Sequence, residues 1–274
     1  MITFADTIIY IYKERFMATV IYPSPIFGPV HSRRLGISLG INLMPADGKV
    51  CTFDCIYCEC GYNADRRPRD KRPTRQQVQT ALETKLKKMN TEGLLPDVLT
   101  FAGNGEPTAH PDFLNIIKDT IVLRDHYCPG AKISVLSNAT LIIRPKVFEA
   151  LLLVDNNILK LDTVDLDYIH RVNRPTGDYD VRVLIEKMKE FAGHVIIQTM
   201  FMHGTIGTQD ADNVKEEYIA PWLEAVKEIG PQQVMVYTIE RETPDQDLRK
   251  ATHEELDNIV KRIETLGIKA TASY

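Results

Sequence analysis

The sequence has no long hydrophobic run, no low-complexity tract and no repeated segment. No stretch approaches the roughly 20 consecutive apolar residues that a membrane-spanning helix needs. The chain has one tryptophan, but its apolar fraction of 44% over 274 residues is ordinary and sufficient for a buried core. The net charge is only −4, which argues weakly against a protein that coats nucleic acid. We therefore expect a folded domain with no part in the membrane.

The N-terminal segment lacks the marks of an export signal. Its apolar patch, residues 8–12, is short, follows Asp6, and has neither a basic start nor a small-residue cleavage site. Met17 offers an alternative start, so we expect residues 1–22 to be an N-terminal extension and residues 23–274 to be the core domain. Without an export signal, we expect a cytoplasmic protein.

Cysteine is scarce and unevenly placed. Four of the five cysteines fall between residues 51 and 60, whereas a secreted disulfide framework would spread its cysteines and pair them evenly. The bunching indicates a reducing compartment and a metal site. Cys51, Cys55 and Cys58 form a C-x3-C-x2-C motif, with Cys60 just beyond it and Cys128 alone elsewhere.

Short apolar runs alternate with amphipathic helical stretches along the chain. The six runs predicted to be strands are Leu35–Leu43, Val98–Phe101, Lys132–Leu136, Ile158–Leu161, Val195–Met202 and Gln233–Thr238. The predicted helices are 74–90, with Thr74 as its cap, 111–124, 145–154, 180–192, 213–229 and 252–266, the last opening on a capping box. Such βα repeats form either an open doubly wound sheet or a partial barrel. In both folds active sites lie at the carboxyl ends of the strands.

The cysteines lie in the long loop that follows the first predicted strand. Three thiolates at this spacing can converge on one soft metal centre. Zinc prefers four protein ligands or paired C-x2-C motifs, and chance bunching of thiols is a further alternative. A [4Fe-4S] cluster held by three cysteines would leave one iron open to a small molecule. Cys60 is either a further ligand or a bystander, and Cys128 is expected to be a structural thiol.

The three-cysteine motif, with Tyr57 directly before its third cysteine, resembles that of the radical S-adenosylmethionine superfamily. The resemblance runs from about residue 27 to residue 238. It implies a partial (β/α)6 barrel with outer helices, a [4Fe-4S] cluster on Cys51, Cys55 and Cys58, and S-adenosylmethionine as cofactor. It also implies reductive cleavage of that cofactor to a 5′-deoxyadenosyl radical that abstracts hydrogen from a substrate. An electron donor such as flavodoxin or ferredoxin would then be a partner.

Polar and glycine residues after the other strands are candidate cofactor contacts. The segment 103–106 resembles the family's GGE motif, which implies that it binds the methionine amino group. Its glycines allow close backbone approach, and its carboxylate can accept from an ammonium group. Each polar side chain also has a structural alternative: a turn, a solvent-facing strand end or an internal hydrogen bond. The candidate cofactor residues are Tyr57, Gly103, Asn104, Gly105, Glu106, Ser137, Asn138, Asp162 and Gln198.

The sequence gives fewer signals for the residues that contact the substrate. Tyr237 and Arg241 follow the sixth predicted strand and are candidate substrate contacts, with an ordinary charged loop as the alternative. The strings at 27–36 and 170–175 resemble those of a small, mostly uncharacterised subgroup of the family. Their arginines, Arg33, Arg34, Arg171 and Arg174, would bind an anionic group or serve the fold. His203 is expected to be a structural loop histidine.

The basic run Arg66–Arg72 is either a solvated loop or a lip that recruits an anionic substrate. It lacks the interleaved aromatic residues of an RNA groove, so RNA is the minority interpretation. The substrate therefore stays open among a nucleoside or RNA, a peptide or protein, and a small metabolite. The competing function is a non-enzymatic iron–sulfur electron carrier or sensor. A zinc-dependent RNA-binding module is a third class.

Overall fold

A computed structural model describes residues 19–32 and 36–274. Met17 and the paired arginines Arg33 and Arg34 lie outside the described residues. The strands are β1 (Ile26–Ser32), β2 (Gly36–Ile41), β3 (Val98–Phe101), β4 (Lys132–Ser137), β5 (Asn156–Lys160), β6 (Ile196–Met200), β7 (Met202–Ile206), β8 (Gln209–Asp210), β9 (Gln233–Tyr237), β10 (Leu248–Lys250) and β11 (Ala270–Ser273). The helices are α1 (Arg75–Glu92), α2 (Phe113–Tyr127), α3 (Pro145–Leu152), α4 (Leu166–Val172), α5 (Val181–Lys189), α6 (Glu216–Ile229) and α7 (His253–Thr265).

The main sheet has the order of a partial barrel. Its order is β1-β2-β3-β4-β5-β6-β9-β11, and every neighbouring pair is parallel except β1 with β2. The order follows the chain without the reversal that defines a doubly wound sheet. The predicted α/β fold is therefore confirmed, and the open barrel has β1 and β11 as its edges.

The fifth predicted strand is shorter than expected. Strand β6 ends at Met200, and β7 then pairs with β8 and β10 in a separate antiparallel sheet. The Asn213 side chain explains this ending: it donates to the Met200 carbonyl at 2.8 Å and accepts from the Met202 N–H at 3.0 Å. Because Asn213 takes these backbone groups, helix α6 begins later than predicted, at Glu216.

Where a threonine side chain caps a helix, the helix begins at the residue that the sequence predicted. Thr74 caps its helix and Thr252 forms a capping box, as predicted, and Thr74 also proves to form a capping box with Gln77. The prediction did not include helix α4 or the strands β1, β7, β8, β10 and β11. Helix α4 has seven residues, too few to show a helical period, and β11 is a short run of small and polar residues.

Side-chain alternation along the strands gives the sheet two different faces. One face packs against the helices through residues such as Leu39, Leu99, Ile133, Ile197 and Val234. On the other face, a smaller apolar layer comprises Leu136, Ile158, Ile196 and Met235. Two residues further along each of these strands, toward its carboxyl end, stand Asn138, Lys160, Gln198 and Tyr237. The fold thus places candidate residues from four segments above one apolar layer.

None of the described helices is long and apolar enough to cross a bilayer.

Candidate cofactor site

The cysteine loop, residues 49–63, follows β2 and is closed by its own side chains. The buried Lys49 ammonium donates to the Gly61 carbonyl at 2.6 Å and to Asp54 Oδ1 at 3.3 Å. The same carboxylate oxygen accepts from the Asn63 backbone N–H at 2.7 Å. These bonds join the start, middle and end of the loop, so its cysteines are held in a folded turn.

The cysteines of this loop form an all-thiol donor set. Cys55 is buried, Cys51 and Cys58 are partly exposed, and all are free of disulfides. Thiolates are the ligands that iron–sulfur clusters prefer, so the chemistry of these side chains fits a [4Fe-4S] cluster.

The protonation of the thiols depends on their surroundings. Burial raises the pKa of Cys51, and it raises the pKa of Cys55 to about 11. The pKa of Cys58 is lowered to about 6, chiefly by a hydrogen bond from Cys60. The Cys60 thiol also lies 3.5 Å from the Gly103 carbonyl. Iron would displace protons from the buried thiols on binding.

The glycine segment fastens the cysteine loop to the rest of the site. Val50, the residue before Cys51, pairs with Gly105: its N–H donates to the Asn104 carbonyl at 3.0 Å, and its carbonyl accepts from the Glu106 N–H at 3.1 Å. Gly105 has a φ of 134°, and a Cβ there would lie 1.9 Å from the Val50 carbonyl oxygen. A glycine is therefore required for this close approach.

The side chains of the glycine segment have partners within the protein. The Glu106 carboxylate, only 2% exposed, accepts from the Thr108 hydroxyl at 2.6 Å, the Ser137 hydroxyl at 2.8 Å and the Asn138 N–H at 2.7 Å. Burial raises its pKa against these hydrogen bonds. Asn104 donates to the carbonyls of residues 22 and 45, both at 2.8 Å. These side chains hold the loops together.

A buried polar cluster lies at the carboxyl ends of β5 and β9. The Lys160 ammonium donates to the hydroxyls of Tyr57 at 3.1 Å and Tyr237 at 2.9 Å, and lies 3.8 Å from Asp162 Oδ1. The Tyr57 hydroxyl donates to Asp162. Burial would lower the pKa of Lys160, but the charge of Asp162 and the interactions with Tyr237 and Cys55 together outweigh burial and raise the pKa. The cluster therefore holds a buried ion pair.

Asn173 is a site residue that the sequence analysis missed. Backbone hydrogen bonds join its segment to the cysteine loop: the Ile56 N–H donates to the Val172 carbonyl at 3.0 Å, and the Asp54 N–H to the Asn173 carbonyl at 2.9 Å. The Asn173 Nδ2 lies 3.6 Å from the Cys55 Sγ. The resemblance of the 170–175 string was a signal for this segment, but it drew attention to the arginines.

Those arginines make contacts within the protein. Arg171 donates to the Asp210 carbonyl at 2.8 Å, and the Arg174 guanidinium lies 5.2 Å from the centre of the Tyr62 ring. Both contacts agree with the alternative in which these arginines serve the fold and do not bind an anionic group.

Gln198 is buried and lies beside Lys160 in the register of β5 and β6. Within the described part of the chain, no group hydrogen-bonds to its side-chain amide. Its predicted cofactor role stays a prediction. Of the substrate candidates, Tyr237 bonds to Lys160, whereas Arg241 donates to Glu59 Oε2 at 2.7 Å.

Two further predicted features have structural partners. His203 Nδ1 lies 2.8 Å from Asp212 Oδ2, and its Nε2 lies 2.9 Å from Glu255 Oε2, as expected for a structural histidine. In the basic run, Arg72 donates to the Ala109 carbonyl at 3.1 Å and Arg66 bonds to Thr19, whereas Arg67, Arg69 and Lys71 are exposed.

The described end of the predicted extension packs against the site. The Val20 N–H donates to the Glu59 carbonyl at 2.7 Å, and the Tyr22 N–H donates to Asn104 Oδ1 at 2.7 Å. Residues 19–22 thus contact both the cysteine loop and the glycine segment.

Comparison with protein families decides the membership of the chain. The family model of the Radical SAM superfamily matches residues 47–216, more than half of the chain. The chain belongs to the radical SAM superfamily. The matched range begins just before the cysteine loop and includes β3 to β8. Membership in this superfamily implies a [4Fe-4S] cluster and S-adenosylmethionine as cofactors.

The relatives of this radical SAM protein include UPF0026 proteins. One from Helicobacter pylori (strain J99) is 34% identical over 220 residues, which is 79% of this chain and 66% of the relative. Another, from Methanocaldococcus jannaschii, is 34% identical over 217 residues, 77% of this chain and 62% of the relative. The chain thus spans less than two thirds of the length of each of these relatives.

Solved structures share the fold. A radical SAM methyltransferase from Sphaerobacter thermophilus has a TM-score of 0.64 at 12% identity, over 86% of this chain and 66% of its own. Streptococcus suis SuiB, solved with S-adenosylmethionine bound, has a TM-score of 0.60 at 18% identity, over 86% of this chain and 50% of its own. At these identities the similarity concerns the fold.

Proposed function

We propose that Cys51, Cys55 and Cys58 hold the [4Fe-4S] cluster of this radical SAM enzyme. The supporting observation is the placement of the cysteine loop, which backbone hydrogen bonds join to both the glycine segment and the 172–173 segment. The three cysteines thereby share the carboxyl end of the sheet with the polar candidates. When bound and reduced, the cluster supplies the electron that cleaves S-adenosylmethionine to methionine and a 5′-deoxyadenosyl radical.

The protein's own residues would bind and orient the cofactor. The backbone of Gly103–Gly105 would receive the methionine amino group. The carbonyls of Gly103 and Asn104 each accept one backbone N–H within the protein and have a second lone pair for an ammonium donor. Ser137, Asn138 and Asp162 shape the neighbouring strand ends, and Gln198 lies beside Lys160 in the register of β5 and β6. A site that is buried in this way would keep water from the radical.

The radical would take a hydrogen atom from a substrate bound near Tyr237. A nucleoside or RNA, a peptide or protein, and a small metabolite all remain candidate substrates. The exposed cations of the basic run would favour an anionic one, with RNA the minority candidate. A flavodoxin or ferredoxin would supply the electron. Because free thiols and such a cluster call for a reducing compartment, we place the protein in the cytoplasm.

The test is made without oxygen. The protein is reconstituted with iron and sulfide, mixed with S-adenosylmethionine and dithionite, and assayed for 5′-deoxyadenosine by chromatography. We expect product from the wild type and none from Cys55→Ala, whose iron content should also fall. Cys128→Ala is the matched control, since it removes a buried thiol outside the site. Product from Cys55→Ala at the wild-type level would contradict the proposal.

A non-enzymatic electron carrier is the competing function. It would complete its cluster with a fourth ligand, and the buried Cys60 beside Cys58 is the nearest candidate. We expect Cys60→Ala to keep both cluster and product. Loss of the cluster in that variant would favour a closed four-cysteine site.

A further inference from the structure

Two cysteine sulfurs of the site each receive a side-chain N–H. Asn138 Nδ2 lies 3.5 Å from the Cys51 Sγ, and Asn173 Nδ2 lies 3.6 Å from the Cys55 Sγ. The two asparagines come from different parts of the chain, one after β4 and one after α4. Both are buried, with exposures of 6% and 2%. Two separate segments thus aim an amide at the predicted cluster ligands.

We propose that Asn138 and Asn173 are positioning residues that raise the reduction potential of the cluster through these N–H···S hydrogen bonds. This inference rests on the proposed function, in which Cys51 and Cys55 are cluster ligands. Reduction adds one electron, taken from the external donor, and part of its charge spreads onto the sulfurs. An N–H dipole aimed at sulfur stabilises the reduced form more than the oxidised form. The effect is strengthened in a buried site, where water does not screen it.

The amide of Asn138 is fixed by its other partners. Its Oδ1 accepts from the Thr140 N–H at 3.1 Å and from the Thr140 hydroxyl at 2.8 Å. Its Nδ2 donates to the Thr52 hydroxyl at 2.8 Å and points to Cys51. Because the backbone N–H of Thr140 can only donate, the amide oxygen must face it. The nitrogen is therefore held on the sulfur side.

The amide of Asn173 is oriented by a carboxylate. Its Nδ2 lies 2.8 Å from Asp162 Oδ2 and 2.9 Å from the Tyr57 hydroxyl. These two oxygens bond to each other, so they share one N–H of the amide, and the second N–H is left for the Cys55 sulfur at 3.6 Å. A flipped amide would place its oxygen against the carboxylate, which is unfavourable. The ion pair of Lys160 and Asp162 thus fixes the direction of the N–H groups toward the cysteine loop.

The test measures a property that a purely structural role would not change. Wild type, Asn138→Leu, Asn173→Leu and the double variant are reconstituted without oxygen. The midpoint potential of each is then titrated against redox mediators, with the reduced cluster detected by electron paramagnetic resonance. We expect each single variant to shift to a more negative potential at unchanged iron content, and the double variant to shift further. Asn157→Leu is the matched control, because Asn157 is equally buried but donates to the His194 carbonyl at 3.2 Å and not to a cysteine sulfur.

If a leucine variant does not hold a cluster, Asn138→Asp and Asn173→Asp are used instead. Aspartate keeps the shape of the asparagine side chain. Aspartate removes the donor and adds negative charge, so a negative shift is again expected. Wild-type potentials in cluster-loaded variants would overturn the inference, as would an equal shift in Asn157→Leu. A wild type that takes up no cluster contradicts the proposed function instead, and this is seen before any variant is titrated.

Discussion

At the scale of single residues, the absence of a Cβ at Gly105 is as important to the candidate site as the thiols. Its φ of 134° is one that side-chain-bearing residues rarely adopt. The backbone of Val50 occupies the space where a Cβ would stand. This contact sets the position of Cys51, the next residue along the chain.

We expect Gly105→Ala to separate the cysteine loop from the glycine segment. The strained backbone alone costs roughly 1–3 kcal/mol, and the clash with the Val50 carbonyl adds to it. The variant should lose both stability and iron uptake, measured by urea unfolding and by iron analysis after reconstitution. Gly130→Ala is the control, since a Cβ there meets nothing within 4 Å. Normal iron uptake by Gly105→Ala would show that this contact does not position Cys51.

At the scale of elements, His203 joins strand β7 to helix α7. It lies between the carboxylates of Asp212 and Glu255, and Glu255 also caps the helix. Burial would lower the pKa of His203, but hydrogen bonds to the two carboxylates outweigh burial and raise it above 6.5. The protonated histidine therefore favours the folded state.

This contribution should depend on pH in a definite direction. Because the folded pKa is the higher one, the stabilisation is complete below about pH 6.5 and is lost as the pH rises through the folded pKa. We expect His203→Gln to be less stable than wild type at pH 6, by no more than about 1 kcal/mol for this partly exposed group. The difference should shrink toward pH 9. Urea unfolding at both pH values gives the measurement, and a constant difference would rule out titration of His203 as its source.

At the scale of the whole molecule, the site lies where separate segments meet at one end of an open sheet. The cysteine loop bonds to the segment after β3, to Asn138 after β4 and to the segment after α4. A cofactor bound there would contact several of these segments at once. Its binding free energy would therefore add to the stability of the fold.

We expect S-adenosylmethionine to raise the melting temperature of the cluster-loaded protein. At one hundred times its Kd, a ligand adds about 2.7 kcal/mol of stability. At about 2–4 °C per kcal/mol for a domain of this size, the shift is roughly 5–10 °C. Anaerobic thermal unfolding, with and without S-adenosylmethionine, measures it. Cys55→Ala should show no comparable shift, and an equal shift there would mean that the cofactor binds independently of the cluster.

The sequence alone determined much of the molecule. The β3 bounds, the Thr74 cap, the Thr252 capping box and the βα repeat follow from local patterns, because strand alternation and helix capping involve neighbouring residues. The C-x3-C-x2-C spacing predicts a metal centre for the same local reason, and family membership agrees with it. The predicted cofactor residues stay predictions, although the structure brings Glu106, Ser137 and Asn138 into direct contact.

Only the tertiary structure decided which side chains surround the thiols. Asn173 is 118 residues from Cys55 in sequence, and its role depends on the turn that follows α4, a helix too short to be predicted. The structure likewise pairs Arg241 with Glu59, 182 residues away, and Lys160 with Tyr237, 77 residues away. Such long-range contacts depend on how the barrel brings its strand ends together, and no local pattern in the chain encodes that distance.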